Sequence, residues 1–364
     1  MGMSIRQRMM AVFRNTAPDR IPASIYNRYH RVGESERVAR NNGLGILHFE
    51  PAVSLLAPPW HMHPGYVSEV KGASFSISLA WENGEQVETR TYETPAGSIS
   101  QRIVKDPVFG SDWIKLHYIK GTEDYAAMSY IVENTIFKTR YAEVKQKMED
   151  LGEDGVVLGR VDRLPYQKLL LELAGPERLF IDLARNPKPV LKLLDVMATQ
   201  QREQFMLALK SGAEVIWQPD NITADMTPPK NYEKYVIPLY RERGMACREA
   251  GKVYAVHMDG RLDAIKDQVA RSPFDVVESF SFAEMGGDLS TEEALSAWPD
   301  KVLCPNFPAS LAERPGKEIE DYLKKTAASF NSRPFMLQIS EDIPLNSYAR
   351  VLPVLTETLA AIKI

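Results

Sequence analysis

Cysteine is scarce in this chain, with 2 in 364 residues. Two thiols cannot build a disulfide framework. They also exclude an all-thiolate structural zinc site and an iron–sulfur cluster held by four thiolates. Histidine is sparse too, at 6, so any metal must rest mainly on imidazole and carboxylate. No apolar run approaches the roughly 18 residues that a membrane span needs. The first ten residues, MGMSIRQRMM, lack the apolar stretch and small-residue cleavage site of a secretory signal. Arg6 stands where a myristoylation signal needs Ser or Thr. A cytoplasmic protein with reduced thiols and no membrane contact is therefore expected. Excess positive charge is also missing: 44 basic against 48 acidic residues give a net charge of −4. That balance argues against binding nucleic acid through its phosphates. The sequence holds no G-x-x-x-x-G-K-[ST], no strand-linked G-x-G-x-x-G, no H-E-x-x-H and no G-x-S-x-G. NTPases, Rossmann dehydrogenases, zincins and α/β-hydrolases are disfavoured accordingly.

What is present is an ordinary folded composition, 44% hydrophobic and 25% charged. Eight short β-like runs punctuate it: RIPASIY (20–26), GILHF (45–49), GVVLGRV (155–161), AEVIWQP (213–219), VYAVHM (253–258), FDVVESF (274–280), KVLCPNF (301–307) and PFMLQIS (334–340). Their length and β-branched content suit buried parallel strands. Helix-patterned segments lie between several of them, and strand–helix alternation predicts a parallel sheet. Eight strands predict an α/β fold, a (β/α)8 TIM barrel, with a doubly wound open sheet as the alternative. No linker breaks the chain, so residues 1–364 read as a single domain. Residues 66–120 differ. SFSISLAW, QVETRTYET and GSISQRIV alternate and are separated by the turn residues Asn83-Gly84 and Pro95-Ala96-Gly97. They predict an inserted antiparallel β-hairpin region near the N-terminus, a β-rich cap.

A barrel of this kind carries its active site at the C-terminal ends of its strands. Those ends deliver Tyr26, Arg28, Tyr29 and His30; Glu50; Arg160 and Asp162; Gln218, Asp220 and Asn221; His257 and Asp259; Glu278; Asn306; and Ser340, Glu341 and Asp342. Apolar runs that end repeatedly in ionisable residues are hard to explain by packing, because buried charge is costly unless it is paired or bound to metal. His257-Met258-Asp259 is the sharpest local signal. Strand alternation puts residues 257 and 259 on one face. Such a pair can hold a divalent metal, or it can be a core histidine paired with an aspartate. Glu278 and Glu341 end later strands and add oxygen donors; such a set suits zinc, with manganese or iron as alternatives. His61-Met62-His63 lies in a Pro-rich loop with Trp60 and reads as structured loop packing. Tyr26, Tyr29 and Trp60 can line an aromatic pocket or serve the core. Cys304 and Cys247 read as small buried hydrophobes. Arg8 and Arg20 read as structural.

The order of these motifs resembles the uroporphyrinogen decarboxylase superfamily, and within it the cobalamin-dependent methyltransferase branch. The resemblance runs from SIRQRMMAVFRNTAPDRIPASI through TPAGSIS, GAEVIWQPDNIT, the helix with Tyr235–Pro238 and HMDG to DVVESF. Decarboxylases of this superfamily grip porphyrinogen carboxylates with an Arg-rich N-terminal segment. Here that region is IYNRYHRVG, which lacks the pattern. The corrinoid–coenzyme M methyltransferases bind zinc through H-x-C and a distant Cys in a C-G-I-P-like turn. Here those places hold His257-x-Asp259 and Glu341-Asp342-Ile343-Pro344. Replacing thiolates by carboxylates makes a harder site, suited to an ether or phenolate oxygen rather than a thiol. The run from Met285-Gly286-Gly287-Asp288 to Asn306-Phe307-Pro308 resembles the O-demethylase methyltransferases acting on methoxylated aromatics.

The resemblance implies methyl transfer from a small methoxylated aromatic substrate to the cobalt(I) of a partner corrinoid protein, which supplies the cobalamin. It implies zinc or another divalent metal on His257, Asp259, Glu278 and Glu341, with His257 and Glu341 catalytic. Tyr26, Tyr29 and Trp60 would sandwich the aromatic ring. Arg28, Arg160 and Asn221, with Asp220 and Asn306 beside them, would bind its polar substituents. A homodimer is also consistent with the resemblance. The alternatives are the methylcobalamin:tetrahydrofolate half-reaction and a decarboxylase-like lyase.

Overall fold

The structure is a computed structural model that describes residues 2–57, 59, 61–106 and 112–362. Two compact units make up the chain. One comprises Met1–Glu50, Tyr141–Arg160 and Ser211–Ile364; the other comprises Pro51–Arg140 and Val161–Lys210.

The first unit carries eight strands: β1 (Ala23–Tyr26), β2 (Leu44–Pro51), β3 (Gly155–Arg160), β4 (Val215–Gln218), β5 (Val253–His257), β6 (Val276–Phe280), β7 (Val302–Pro305) and β8 (Leu337–Ile339). Each predicted run overlaps one of them, and GILHF (45–49) lies inside the longer β2. Chain neighbours are also neighbours in the sheet from β1 through to β7, and β8 returns to pair with β1. All six pairings whose registers are resolved are parallel. Between β7 and β8 the contact is a single parallel bridge, Asn306 with Gln338. The result is a nearly closed (β/α)8 barrel. Helices such as Ile237–Glu249, Gly316–Ser329 and Leu345–Ala361 follow its later strands.

The barrel interior is filled by alternate residues of the strands. Leu47, Val156, Leu158, Val215, Ala255, Val276, Val302, Cys304 and Met336 form one buried cluster. Met9, Met10, Val12 and Phe13 of the helix Ile5–Phe13 join it. That helix is started by a capping box between Ser4 and Gln7, which satisfies two otherwise unpaired amide groups. Arg8 pairs with Asp19 at 2.5 Å, in the structural role expected of it. Gly155 is required by close approach: a Cβ there would meet the Ile46 carbonyl oxygen at 2.0 Å.

The second unit contains a four-stranded antiparallel sheet in chain order, Ser74–Glu82, Glu85–Thr94, Gly97–Val104 and Trp113–Leu116. Asn83 and Gly84 have φ of 50° and 82°, the two positive values of a type I′ hairpin turn. The helices Asp124–Glu133 and Pro187–Leu209 pack together in this unit. Beneath them Lys168 is fully buried and donates to Asp162 at 2.8 Å and to Glu172 at 2.7 Å. Arg163 adds a further bond to Glu172 at 2.7 Å. Among the described residues, no helix is long and apolar enough to cross a membrane.

Candidate active site

The C-terminal ends of β1, β4, β5 and β6 bring their interior side chains onto a single buried carboxylate. Register places His257 beside Glu278, so both face inward. His257 Nδ1 lies 2.6 Å from Glu278 Oε2. Trp217 Nε1 donates to the same oxygen at 2.9 Å, and the Tyr26 hydroxyl donates to Oε1. Glu278 is fully buried, and these three donors are its compensation. On its other side His257 Nε2 lies 3.3 Å from Asp259 Oδ2. Asn221, which ends the turn after β4 with φ of 48°, donates through Nδ2 to that oxygen at 3.0 Å.

The imidazole is thus held between a buried carboxylate and a carboxylate whose side chain is 38% exposed. Burial alone would lower the pKa of His257. The charges of Asp259 and Glu278 and their hydrogen bonds outweigh it and raise the value to about 10. His257 is therefore an imidazolium at neutral pH, with Nδ1–H directed inward and Nε2–H outward. Burial pushes the Asp259 carboxyl up, but the adjacent His257 charge dominates and lowers it. Tyr26 is driven well above its ordinary value by burial and by the Glu278 charge, so its phenol stays protonated.

A local backbone device aims Glu278. Between Glu278 and Phe280 the register of β6 against β7 shifts, and Ser279 takes φ of 60°. This is a bulge with a non-glycine residue in the left-handed region, a conformation that the surroundings must hold in place. Gln338 Oε1 accepts the Ser279 amide at 2.8 Å, and the hydroxyls of Ser279 and Ser340 are 2.8 Å apart.

Aromatic rings surround the network. Tyr26 stacks on Tyr29 with centroids 6.3 Å apart and planes at 13°. Phe49 packs edgewise on Tyr26 at 4.6 Å and against Trp217 at 4.3 Å. Trp217 in turn meets His257 at 5.7 Å. The Arg160 guanidinium lies over the Trp217 ring at 5.3 Å.

The expected site residues therefore separate into groups. Tyr26, His257, Asp259, Glu278 and Asn221 form one network, with Tyr29 and Arg160 stacked beside it. His257 and Asp259 stand together, with Nε2 and Oδ2 3.3 Å apart. Glu341 follows β8 and is exposed; burial of its carboxyl and then the Asp259 charge raise its pKa. Arg28 is exposed, with its guanidinium over the Tyr29 ring at 4.4 Å. Asp220 is fully buried and accepts the Tyr240 hydroxyl at 2.7 Å. That bond pins β4 to the helix Ile237–Glu249. Asn306 accepts the Ser340 amide at 3.1 Å, at the barrel seam. Trp60 lies outside the described residues. Among the described residues no group of three or more His, Cys, Asp and Glu side chains is placed to hold a metal ion. Sequence reasoning missed Trp217 and Phe49, which sit before the strand ends. Trp217 shares the parity of Val215, and that parity was the available signal.

Comparison with known proteins adds two findings. Residues 169–361 match the family model for uroporphyrinogen decarboxylase (URO-D). A solved structure described as a methyltransferase from Methanosarcina mazei superposes with a TM-score of 0.58 at 11% identity, covering 98% of each chain; the likeness is one of fold. Among curated proteins none matches the chain.

Proposed function

The chain belongs to the uroporphyrinogen decarboxylase family, and from that premise we propose that it moves the methyl group of a methoxylated aromatic compound to the corrinoid of a partner protein. The observation that carries this reading is the His257 ring held between Glu278 and Asp259, with Tyr26, Phe49 and Trp217 around it. Breaking an aryl methyl ether leaves both bonding electrons on the aryl oxygen. The cost of that charge falls if a proton or a fixed positive charge stands ready. When bound, the corrinoid supplies the nucleophile that takes the methyl group. The resemblance of the fold to a solved structure named a methyltransferase supports the same reaction class.

In this mechanism each residue has a stated task. Glu278 fixes the ring of His257 through Nδ1 and keeps it protonated. Trp217 and Tyr26 donate to the two oxygens of Glu278 and so hold the carboxylate still. His257 Nε2–H faces the exposed side and delivers its proton to the leaving aryl oxygen. Asp259, steadied by Asn221, orients that N–H and restores the proton from solvent. Tyr29 and Phe49, both half-buried, provide ring faces for an aromatic substrate, and buried Tyr26 backs Tyr29. Arg28, exposed above Tyr29, meets a ring carboxylate.

The resemblance implies a metal on His257, Asp259, Glu278 and Glu341. As arranged, Glu278 lies at Nδ1 of His257 and Asp259 at Nε2, so the two carboxylates meet different nitrogens of the ring and these residues do not fit that four-ligand set around one ion. The reaction is therefore derived from the protonated network alone.

A second reading is favoured by the family itself. A buried imidazolium can also protonate a carbon from which carbon dioxide has left. Methoxybenzoates incubated with the protein and reduced free cobalamin separate the two. The proposal expects the corresponding phenols, formed only when both are present, and a loss of at least ~100-fold in His257→Gln, the range of a general acid. Carbon dioxide release without phenol favours the lyase. No phenol from any methoxybenzoate overturns the substrate class.

A further inference from the structure

The strand Ser74–Glu82 lies at one edge of the antiparallel sheet. Glu85–Thr94 pairs with it on one side. On the other side it pairs with no strand among the described residues. Its sequence, SFSISLAWE, alternates large apolar residues with small ones. Phe75 and Ile77 stand opposite Tyr92 and Arg90 and share their face. Tyr92 and Arg90 are each 1% exposed, yet Ile77, Leu79 and Trp81 are 39%, 60% and 75% exposed. The covered face of the sheet thus runs out at this strand.

Solvent-facing edge strands are usually blunted by Lys, Pro, a bulge or short length. This one has nine residues, no charge from Ser74 to Trp81, no proline and unbroken register. The two-residue type I′ turn makes Glu82 and Glu85 a hydrogen-bonded pair. Counting back, the even-numbered residues bond inward. Phe75, Ile77, Leu79 and Trp81 direct their backbone N–H and C=O groups outward. The residues with free backbone groups are therefore also those with the large apolar side chains.

We propose that a second copy of this chain pairs antiparallel with Ser74–Glu82 about a two-fold axis through Ser78, extending the two sheets into one. In that register Ile77 stands opposite Leu79 of the second copy, and Phe75 opposite its Trp81. All four residues lie on the same face, and every outward backbone group of the four finds a partner. The symmetry of the pattern about Ser78 is what selects a second copy as the occupant, since an isologous contact needs a self-complementary patch. The uncharged stretch lets like meet like without repulsion. An unrelated protein would require neither property.

The test uses the full chain. Sedimentation velocity across a concentration series is expected to show a species of twice the 41.1 kDa chain mass. Across the axis Ser78 meets its own counterpart as a non-hydrogen-bonded pair, with Cα atoms about 4.5 Å apart, within disulfide reach. Ser78→Cys should therefore form a reducible dimer on mild oxidation, while Ser76→Cys should not. The native Cys247 and Cys304 are buried and stay out of the reaction. Ile77→Lys with Leu79→Lys sets lysine against lysine and should weaken association more than ~10-fold, with the circular dichroism spectrum unchanged. A monomer at every concentration overturns the proposal. So does a dimer that survives the double lysine variant, or Ser76→Cys cross-linking as readily as Ser78→Cys.

Discussion

His257 is the residue on which the chemistry turns, and its environment makes a statement about pH. Its pKa rises from an ordinary 6.5 to about 10 on folding. A raised value means that the folded state binds the proton more tightly than the unfolded chain does. The resulting stabilisation is complete below about pH 6.5 and is lost as pH rises towards 10. The melting temperature should therefore fall across that window, and His257→Gln should flatten the fall; a thermal melt series at fixed ionic strength reads it. Tyr26 offers a second check. Tyr26→Phe removes one of the three donors to a fully buried carboxylate and should cost about 1–3 kcal/mol in denaturant unfolding. It should also lower kcat more than it changes KM, because the phenyl ring that backs Tyr29 remains. The pairing of His257 with Asp259 was legible as H-x-D. Their joint hold on one proton was not, because it depends on Glu278 arriving from the next strand. Asp220 shows the converse: a strand-end acid that reads as functional is used up on Tyr240.

At the scale of elements, the strands were plain in the sequence because each is a short apolar run between turn signals, and barrel register keeps chain neighbours adjacent. The bulge at Ser279 was hidden. Glu-Ser-Phe carries no glycine to mark a left-handed residue, and the contacts of Gln338, Ser340 and Ser281 hold it there. Gln338→Leu strands the Ser279 amide in the core. It should destabilise the chain by about 1–3 kcal/mol and turn Glu278 away from His257, lowering turnover at unchanged substrate affinity. The seam between β2 and β3 makes its own demand. Gly155→Ala forces a Cβ onto the Ile46 carbonyl, so a loss of about 3 kcal/mol or more is expected, read as a shift of the unfolding midpoint. The hairpin strands of 66–120 were legible for the same reason as the barrel strands. Asn83-Gly84 dictates a type I′ turn, and the alternation dictates the faces.

At the scale of the whole molecule, the chain is a (β/α)8 barrel of the uroporphyrinogen decarboxylase family. A second unit is built from the segments 51–140 and 161–210. The shortage of cysteine keeps thiolate chemistry out of the candidate site, and carboxylate and imidazole take its place. The account's central claim is methyl transfer assisted by the His257 proton. Its most direct test is a single turnover with a methoxybenzoate carrying 13C in the methyl group, one equivalent of reduced cobalamin, and either wild type or His257→Gln. The account predicts label in the cobalamin fraction, matched mole for mole by phenol, with wild type at least ~100-fold faster than the variant. Label that stays on the aromatic ether, or equal rates for the two proteins, would contradict it.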